Sequence, residues 1–429
     1  MRIAFYTLGC KVNQYETELL STLFHKEGFD VVSPHDEADV YVVNSCTVTS
    51  SGDAKTRKVL HRFKREHPGA LIALTGCFPQ AFPDAAEKLT EAQVITGARN
   101  RRGLVGAVQR ALSTGERIVE INAHTKDEPF EQMAVEAFAE RTRAFVKIED
   151  GCERYCAYCI IPKARGFIRS KPLDELVNEV RELAANGYLE VVLVGINLSS
   201  YGKDLGLRLI DALRAVCSVS GIERVRLGSL EPELLSDEDI AEMAKLKKLC
   251  PQFHLSLQSG CDETLKRMNR HYDTAEYARI VNRLREAFPG CAITTDIMVG
   301  FPGETEEEFA KSLAFAQQIS FAKAHVFAYS IRAGTRAATM PDQLTNAQKE
   351  ERSARMIQTT GATAAAYLKA QIGTVQPVLF ESRVGEFGFE GYTPSYSPVS
   401  VASSEPLSGT IRKVKIVDAT ESGCIGELI

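Results

Sequence analysis

The segment from Gly151 to Cys159 constrains this chain more than any other, because it holds three cysteines within eight residues. Cys152, Cys156 and Cys159 are separated by three and then two residues. Thiolates this close in sequence can converge on one soft metal centre, and iron–sulfur clusters are held by cysteine thiolates. A cluster with three protein ligands leaves one iron open to another molecule, as catalytic metal sites do. The spacing therefore predicts a cluster with an open iron.

Two other interpretations of the motif are less satisfactory. A zinc knuckle needs a fourth Cys or His at ligand spacing, and none follows. A disulfide needs an oxidising compartment, whereas the chain starts without the basic, apolar and cleavage regions of a signal peptide. Eleven cysteines without an export signal indicate a reducing compartment and metal binding. We therefore expect a cytoplasmic location.

Length and composition set broad limits on the fold. A chain of 429 residues, 44% hydrophobic and 25% charged, predicts a globular protein of two to three domains. No run of eighteen apolar residues occurs, so no membrane association is expected. The net charge of -5 argues against a wholly basic nucleic-acid binder but permits a local basic face.

Residues 1–135 carry three short apolar runs that each lead to a cysteine. These runs precede Cys10, Cys46 and Cys77 and are separated by helical patterns, as in an open parallel α/β sheet. Ligands gather at the carboxyl ends of the strands in such sheets, so the three thiols could form a second metal site. The alternative is three small buried residues. The cations of residues 55–65 indicate either a solvated helix face or a nucleic-acid contact.

Residues 140–370 alternate apolar runs with helical patterns and predict a partial (β/α)6 barrel related to the eight-fold barrel. The six runs are 144–148, 190–196, 224–230, 253–257, 292–299 and 324–329. Barrel chemistry sits at the carboxyl ends of the strands. Cys152 follows the first run, and polar residues end the later ones: Asn197, Ser229, Glu231, Gln258, Ser259, Asp296 and Ser330. Taken singly, each is better explained as a turn or capping residue, but their recurrence after successive strands favours a shared site.

Residues 371–429 predict a small antiparallel β-barrel, because short β-rich runs alternate with Gly and Pro turns. Cations and aromatic rings of the kind that hold single-stranded RNA occur here: Arg412, Lys413, Lys415, Phe387, Phe389, Tyr392 and Tyr396. A packing or dimerisation barrel is the alternative.

Together these features resemble the radical S-adenosylmethionine (SAM) methylthiotransferases over nearly the whole chain. The Cys-x3-Cys-x2-Cys motif with Tyr158 is typical of radical SAM enzymes, and the extension from Cys159 to Gly166 narrows the likeness to methylthiotransferases. The C-terminal barrel is similar to the family's TRAM domain. The segments 9–14 and 166–170 are most similar to the branch that modifies threonylcarbamoyladenosine beside the tRNA anticodon, whereas 227–232 departs slightly from it.

The resemblance implies two [4Fe–4S] clusters, one held by Cys152, Cys156 and Cys159 and an auxiliary one held by Cys10, Cys46 and Cys77. One SAM would methylate a sulfur on the auxiliary cluster, and a second would generate the radical that activates C2 of the adenine. SAM contacts are expected from Tyr158, Gly195, Asn197, Ser229, Glu231, Gln258, Ser259 and Asp296. Arg165 and Glu231 are expected to contact the substrate base, and the partners would be a tRNA anticodon stem-loop, an external one-electron donor and a sulfur source.

Three alternatives remain from sequence. The substrate could be isopentenyladenosine in tRNA or an aspartate of a ribosomal protein. The chain could also be an iron–sulfur protein that binds RNA or transfers electrons without radical chemistry. The two enzyme alternatives differ from the favoured interpretation in substrate, and the last differs in class.

Overall fold

The structure, a computed structural model, describes residues 1–131, 142–385 and 387–429. The predicted boundary between the first two domains, at residues 135–140, lies outside the described residues. The first domain is a six-stranded parallel sheet with strand order β2-β1-β3-β4-β5-β6. Its strands are β1 (Arg2–Thr7), β2 (Asp30–Val32), β3 (Val40–Ser45), β4 (Leu71–Gly76), β5 (Val94–Thr96) and β6 (Ile118–Glu120).

Helices cover both faces of this sheet, which explains why β3 and β4 are buried throughout. They are α1 (Lys11–Lys26), α2 (Ser50–Glu66), α3 (Cys77–Ala81), α4 (Pro83–Glu87) and α5 (Arg101–Thr114). Phe24 of α1 and Leu104 of α5 pack on one face, and Phe63 of α2 on the other. Every residue of β3 and β4 is buried. The cations Lys55, Lys58 and Arg65 of α2 are exposed.

The second domain follows the predicted succession of parallel strands. Its strands are β7 (Arg143–Lys147), β8 (Glu149–Asp150), β9 (Arg169–Ser170), β10 (Glu190–Val194), β11 (Arg224–Leu227), β12 (Ser229–Leu230), β13 (Gln252–Leu255), β14 (Ala292–Val299) and β15 (Lys323–Ala328). Hydrogen bonding divides the barrel wall into β11-β10-β7 and β12-β13-β14-β15. The predicted run 224–230 spans both parts and is interrupted at Gly228, whose N–H donates to the Leu193 carbonyl at 2.8 Å. The pair β8 and β9 is antiparallel and was not predicted.

The helices of this domain pack around the barrel and share one hydrophobic core with it. They are α6 (Ile161–Arg165), α7 (Leu173–Ala185), α8 (Leu209–Cys217), α9 (Asp237–Met243), α10 (Asp262–Arg267), α11 (Thr274–Ala287), α12 (Glu306–Ile319) and α13 (Asn346–Lys369). Short 3-10 turns occur at Leu198–Ser200, Pro232–Leu234 and Arg336–Thr339. The Asp273 side chain caps α11 by accepting from the Glu276 N–H.

The third domain is a closed five-stranded barrel with order β16-β17-β18-β20-β19. The strands are β16 (Val375–Val384), β17 (Gly388–Tyr392), β18 (Pro398–Ala402), β19 (Ile411–Ala419) and β20 (Cys424–Leu428). The expected purely antiparallel barrel needs one correction, because β18 and β20 pair in parallel. Strand direction cannot alternate around a closed ring with an odd number of strands, so one parallel pair is required. Among the described residues, no helix is long and apolar enough to cross a membrane.

Candidate active site

The sheet of the first domain places its three cysteines beside one another, just past the carboxyl ends of three adjacent strands. β1, β3 and β4 are adjacent parallel strands, with Thr7 paired to Asn44 and Ser45 paired to Gly76. Cys10 is the N-cap of α1, Cys46 directly follows β3, and Cys77 begins α3. Gly76 has a φ of 98°, and a Cβ there would lie 2.5 Å from the Asn44 Oδ1. Glycine is therefore required just before Cys77, where the chain turns sharply from strand to helix.

The three thiols are close enough to influence one another. Burial raises the pKa of the Cys77 thiol to about 12, with Arg165 opposing the shift and Cys46 and Cys10 adding to it. Burial also raises the pKa of Cys46, and Cys10 contributes again. Among the described residues, no three His, Cys, Asp or Glu side chains are placed to hold a single metal ion.

The second triplet lies on a loop fixed by backbone hydrogen bonds. The Cys152 N–H donates to the Gly166 carbonyl at 3.0 Å, and the Cys159 N–H donates to the Cys156 carbonyl at 3.0 Å. Burial raises the pKa of Cys159 to about 12, and the neighbouring Cys156 adds to the shift. Cluster ligands must be deprotonated, so loading of this site releases protons. Tyr158 packs edge-on against Phe301 at 6.4 Å between ring centroids.

Several buried polar atoms beside this loop have no hydrogen-bond partner among the described residues. They belong to strand-end residues predicted from the sequence: both amide atoms of Asn197, the Oε1 of Gln258 and the Oγ of Ser259. Leaving such atoms unpaired costs about 1–3 kcal/mol each. A ligand rich in hydrogen-bonding groups, such as SAM, would satisfy them. The donor and acceptor set at this end of the barrel therefore fits SAM.

Glu149 is a site residue that the sequence analysis missed. Its Oε2 accepts the Asn197 N–H at 2.7 Å, and a Cβ on Gly195 would lie 2.6 Å from the same oxygen. Glycine at 195 thus lets the carboxyl hold the turn after β10. Burial raises the pKa of Glu149 to about 8, although the Asn197 N–H opposes the shift. The only sequence signal was a carboxylate at the end of a buried strand, three residues before Cys152.

Arg165 is placed differently from the expected substrate contact. Its guanidinium is completely buried. The Nε donates to the Cys77 Sγ at 3.1 Å, and Nη2 donates to the Asn13 Oδ1 at 2.9 Å and the Glu16 Oε2 at 3.0 Å. Its donors are directed at protein groups between the first two domains. In this structure Arg165 thus faces protein groups, and its contact with the substrate stays a prediction.

Glu231 is also held by a protein partner. Its carboxylate pairs with Arg270, whose side chain is almost fully buried. Nη1 of Arg270 donates to the Cys156 Sγ at 3.2 Å. Glu231 thus contacts the cysteine loop indirectly, through Arg270. No signal in the sequence had pointed to Arg270.

A cavity of about 330 Å³ lies where the three domains meet. It joins Cys10 of the first domain to barrel residues and to Tyr396 of the third domain. The expected site residues Gly195, Ser229 and Asp296 line it, together with four residues that were not predicted: Lys11, His254, Lys323 and His325. The cavity therefore connects Cys10 with the ends of β10 and β11 and with residues of β13, β14 and β15.

The charged groups of this cavity influence one another. Burial lowers the pKa of Lys11, and Arg143 and Arg226 lower it further. Burial alone would raise the pKa of Asp296, but His254, whose Nε2 lies 3.3 Å from the carboxylate, and His325 hold it below its usual value. Among the residues that line the cavity, the two lysines Lys11 and Lys323 thus outnumber the one carboxylate, Asp296.

The third domain attaches to the barrel through its aromatic side chains. Tyr392 and Tyr396 stack at 4.6 Å between ring centroids, and the guanidinium of Arg143 lies 4.8 Å from the Tyr396 ring. Arg226 lies 4.6 Å from the same ring and donates to the Pro394 carbonyl at 2.8 Å. The sequence suggested that the rings of these two tyrosines could stack on RNA bases. In the structure, the rings instead stack on each other and on arginines of the central barrel.

The remaining aromatic rings and cations of the third domain divide between core and surface. Phe389 is in the barrel core, whereas Phe387 is 56% exposed. Arg412, Lys413 and Lys415 are exposed on β19. The surface available for RNA is consequently smaller than the sequence suggested.

Comparison with known proteins agrees with this architecture. Residues 146–316 match the model of the Radical SAM superfamily, and residues 2–97 match "Uncharacterized protein family UPF0004". A structure of the radical SAM methyltransferase TsrM from Kitasatospora setae matches with a TM-score of 0.60 at 15% identity, covering 79% of this chain and 77% of that one. The fold and the cysteine loop thus define a radical SAM enzyme, which uses SAM and a [4Fe–4S] cluster.

Curated relatives narrow this class. The chain is 38% identical to the threonylcarbamoyladenosine tRNA methylthiotransferase MtaB of Bacillus subtilis, over 97% of this chain and 94% of the relative. It is 36% identical to MtaB of Thermotoga maritima, over 98% of this chain and 95% of the relative. A tRNA-2-methylthio-N(6)-dimethylallyladenosine synthase of Caldicellulosiruptor saccharolyticus is 35% identical, over 99% of this chain and 91% of the relative. The chain belongs to the radical SAM tRNA methylthiotransferases and resembles the MtaB branch.

Proposed function

We propose that this enzyme inserts a methylthio group at C2 of N6-threonylcarbamoyladenosine 37 in the tRNA anticodon loop, using two SAM molecules and two [4Fe–4S] clusters. The single observation that carries the substrate choice is the charge of the cavity beside Cys10. Lys11 follows this cysteine directly and lines the cavity together with a second lysine, Lys323. The threonyl group ends in a carboxylate, which such cations attract, whereas an isopentenyl group is apolar and uncharged.

The assignment of clusters follows the two triplets. Cys152, Cys156 and Cys159 would hold the cluster that binds SAM, and Cys10, Cys46 and Cys77 would hold the auxiliary cluster. Together with SAM these clusters supply one-electron cleavage chemistry that can activate an unactivated C–H bond and deliver sulfur to it. The two MtaB relatives and the shared edge of β1, β3 and β4 support the second site.

The residues of this chain would bind, orient and shield the reactants. Asn197, Gln258 and Ser259 offer unpaired polar atoms to SAM. Glu149 holds the turn that carries Gly195 and Asn197. The barrel strands and the third domain would position the reactants in the cavity, because a sulfur misplaced by a few ångströms would lose the reaction. The three domains would then have separate roles. Sulfur delivery would belong to residues 1–135, radical generation to residues 140–370 and RNA binding to residues 371–429.

A substrate comparison tests the proposal. Reconstituted enzyme is given SAM, reductant and anticodon stem-loops carrying threonylcarbamoyladenosine, isopentenyladenosine or unmodified adenosine, and the nucleosides are analysed by mass spectrometry. We expect methylthiolation of the first. Exclusive methylthiolation of isopentenyladenosine, or of a ribosomal-protein aspartate, would refute the substrate. Absence of 5′-deoxyadenosine from reduced enzyme with SAM would contradict radical catalysis by this preparation.

Lys11→Met tests the observation itself. A hydrogen bond to a charged group contributes about 1.5–3 kcal/mol, so kcat/KM on the threonylcarbamoyl stem-loop should fall about 10- to 150-fold. Cleavage of SAM without RNA should be unchanged. Lys247→Met, at an exposed position of the barrel domain, is the matched control and should leave kcat/KM within twofold. Equal effects of both substitutions would show that Lys11 has no special role.

A further inference from the structure

Two buried arginines donate hydrogen bonds to cysteine sulfurs. One arginine serves each triplet. The Nε of Arg165 lies 3.1 Å from the Cys77 Sγ, and the Nη1 of Arg270 lies 3.2 Å from the Cys156 Sγ. Exposure of the side chain is 0% for Arg165 and 3% for Arg270. Each triplet therefore has a single guanidinium contact of the same kind, shielded from water.

Each guanidinium is held in place by a carboxylate on a different element. Arg165 pairs with Glu16 of α1, and its Nη1 lies 3.6 Å from the Asp150 Oδ2. Arg270 pairs with Glu231, and its Nε also donates to the Tyr272 hydroxyl at 3.2 Å. These ion pairs fix the direction of the N–H groups, so the contacts with sulfur are not incidental positions of mobile side chains.

Arg165 differs from Arg270 in that its contact crosses a domain boundary. It ends α6, six residues after Cys159, yet it reaches a thiol that the first domain supplies. Arg270 and Cys156 both belong to the barrel domain. The sulfur of Cys77 consequently receives this hydrogen bond only when the first two domains are docked.

We infer that Arg165 and Arg270 are positioning residues that set the reduction potentials of the two clusters independently, Arg165 for the auxiliary cluster and Arg270 for the SAM-binding cluster. The inference rests on the proposed assignment of both triplets to clusters. Reduction adds negative charge to a cluster and its thiolates, and a cationic N–H donor stabilises that charge. Removing either donor should therefore shift the potential of its own cluster to more negative values.

The test is a potentiometric titration of reconstituted full-length protein, followed by electron paramagnetic resonance. Each cluster is observed alone in a background in which the other three cysteines are replaced by alanine. At the midpoint potential of the parent protein, the ratio of reduced to oxidised auxiliary cluster should be about tenfold lower in Arg165→Met, which equals a shift of 59 mV for a one-electron couple. The SAM-binding cluster should be unaffected. Arg270→Met should give the reverse pattern, and each substitution serves as the control for the other.

Arg165→Lys is measured alongside, because lysine keeps the positive charge beside Glu16. If the cation acts on the sulfur, the potential of the auxiliary cluster in Arg165→Lys should lie between those of the parent protein and of Arg165→Met. Eight irons per chain with both potentials unchanged in Arg165→Met and Arg270→Met would overturn this inference alone. Equal shifts of both clusters by either substitution would also overturn it, since the effect would then be general. Four irons per chain in the unsubstituted protein would instead refute the auxiliary cluster, and with it the Arg165 half of the inference.

Discussion

The buried carboxyl of Glu149 should make the stability of the apoprotein depend on pH in a way that one substitution removes. Burial raises the pKa of this group from 4.5 to about 8. Its Oε2 accepts a backbone N–H, whereas Oε1 has no partner among the described residues, so Oε1 is the oxygen that carries the proton. Glutamine retains the shape and the accepting oxygen but cannot ionise. Glu149→Gln is therefore a matched neutral replacement.

The magnitude follows from proton linkage. Between pH 4.5 and 8 the native protein holds this proton and the unfolded chain does not. The resulting stabilisation is complete below the unfolded pKa and is lost as pH rises towards the folded pKa. Across pH 6 to 8 the loss is about 2 kcal/mol, because each pKa unit corresponds to about 1.36 kcal/mol. The free energy of unfolding of Glu149→Gln should thus gain about 2 kcal/mol relative to the parent protein over this interval.

Urea unfolding of both apoproteins at pH 6, 7 and 8, followed by circular dichroism, measures this difference. Glu190→Gln is the control, because Arg226 and its neighbours hold the pKa of that buried carboxyl below its usual value despite burial, so it stays ionised throughout. The difference between Glu190→Gln and the parent should not change with pH. A pH-independent difference for Glu149→Gln as well would refute the reasoning that burial keeps Glu149 protonated.

Three further outcomes follow from the site and the domain contacts. Cys77→Ala should lower the iron content from about eight to about four per chain while SAM cleavage continues; an unchanged iron content would show that Cys77 is not a cluster ligand. Arg332→Met removes the partner of the Asp53 carboxylate, 2.7 Å away, and should destabilise the protein by about 3–5 kcal/mol in thermal unfolding, whereas adding Asp53→Asn should recover most of that loss; equal destabilisation of both variants would contradict a buried ion pair. Tyr396→Ala should lower both stability and turnover, whereas Phe387→Ala, at an exposed ring, should weaken only tRNA binding in a filter assay; identical profiles would disprove separate roles for the two rings.

Sequence periodicity was sufficient to predict the fold because each β/α unit buries its own apolar face. The helices Leu173–Ala185 and Glu306–Ile319, for example, lie between the apolar runs of residues 140–370, where the alternating pattern predicts helices. The curated relatives confirm the predicted family. The break at Gly228 was not predictable, because apolar residues continue on both sides while the hydrogen-bonding partner changes. The parallel pair of β18 and β20 depends on barrel closure, which is a property of the whole domain.

The candidate site was predictable where function requires a fixed spacing or a strand end. The triplet at Cys152 has a sequence signature, and Cys10, Cys46 and Cys77 repeat a strand-then-cysteine pattern. Contacts between domains carry no such signal. Arg165 was expected to face substrate because it lies in a recognisable motif, but only the docking of two domains shows that it faces Cys77. Lys11 and Arg270 likewise acquire their surroundings from segments far away in sequence.

The position of Tyr396 limits how freely this architecture can exchange its parts. The residue belongs to the small C-terminal barrel, yet it lines the same cavity as Cys10 and Asp296. Arg143 and Arg226 hold it there from the central barrel. In a chimera that carries the C-terminal domain of a relative, the lining of the cavity would therefore change as well as the RNA-binding surface. The C-terminal barrel and the residues that hold it against the cavity must therefore be exchanged together. We expect functional chimeras only when residues 143, 226 and 396 are transferred as a set.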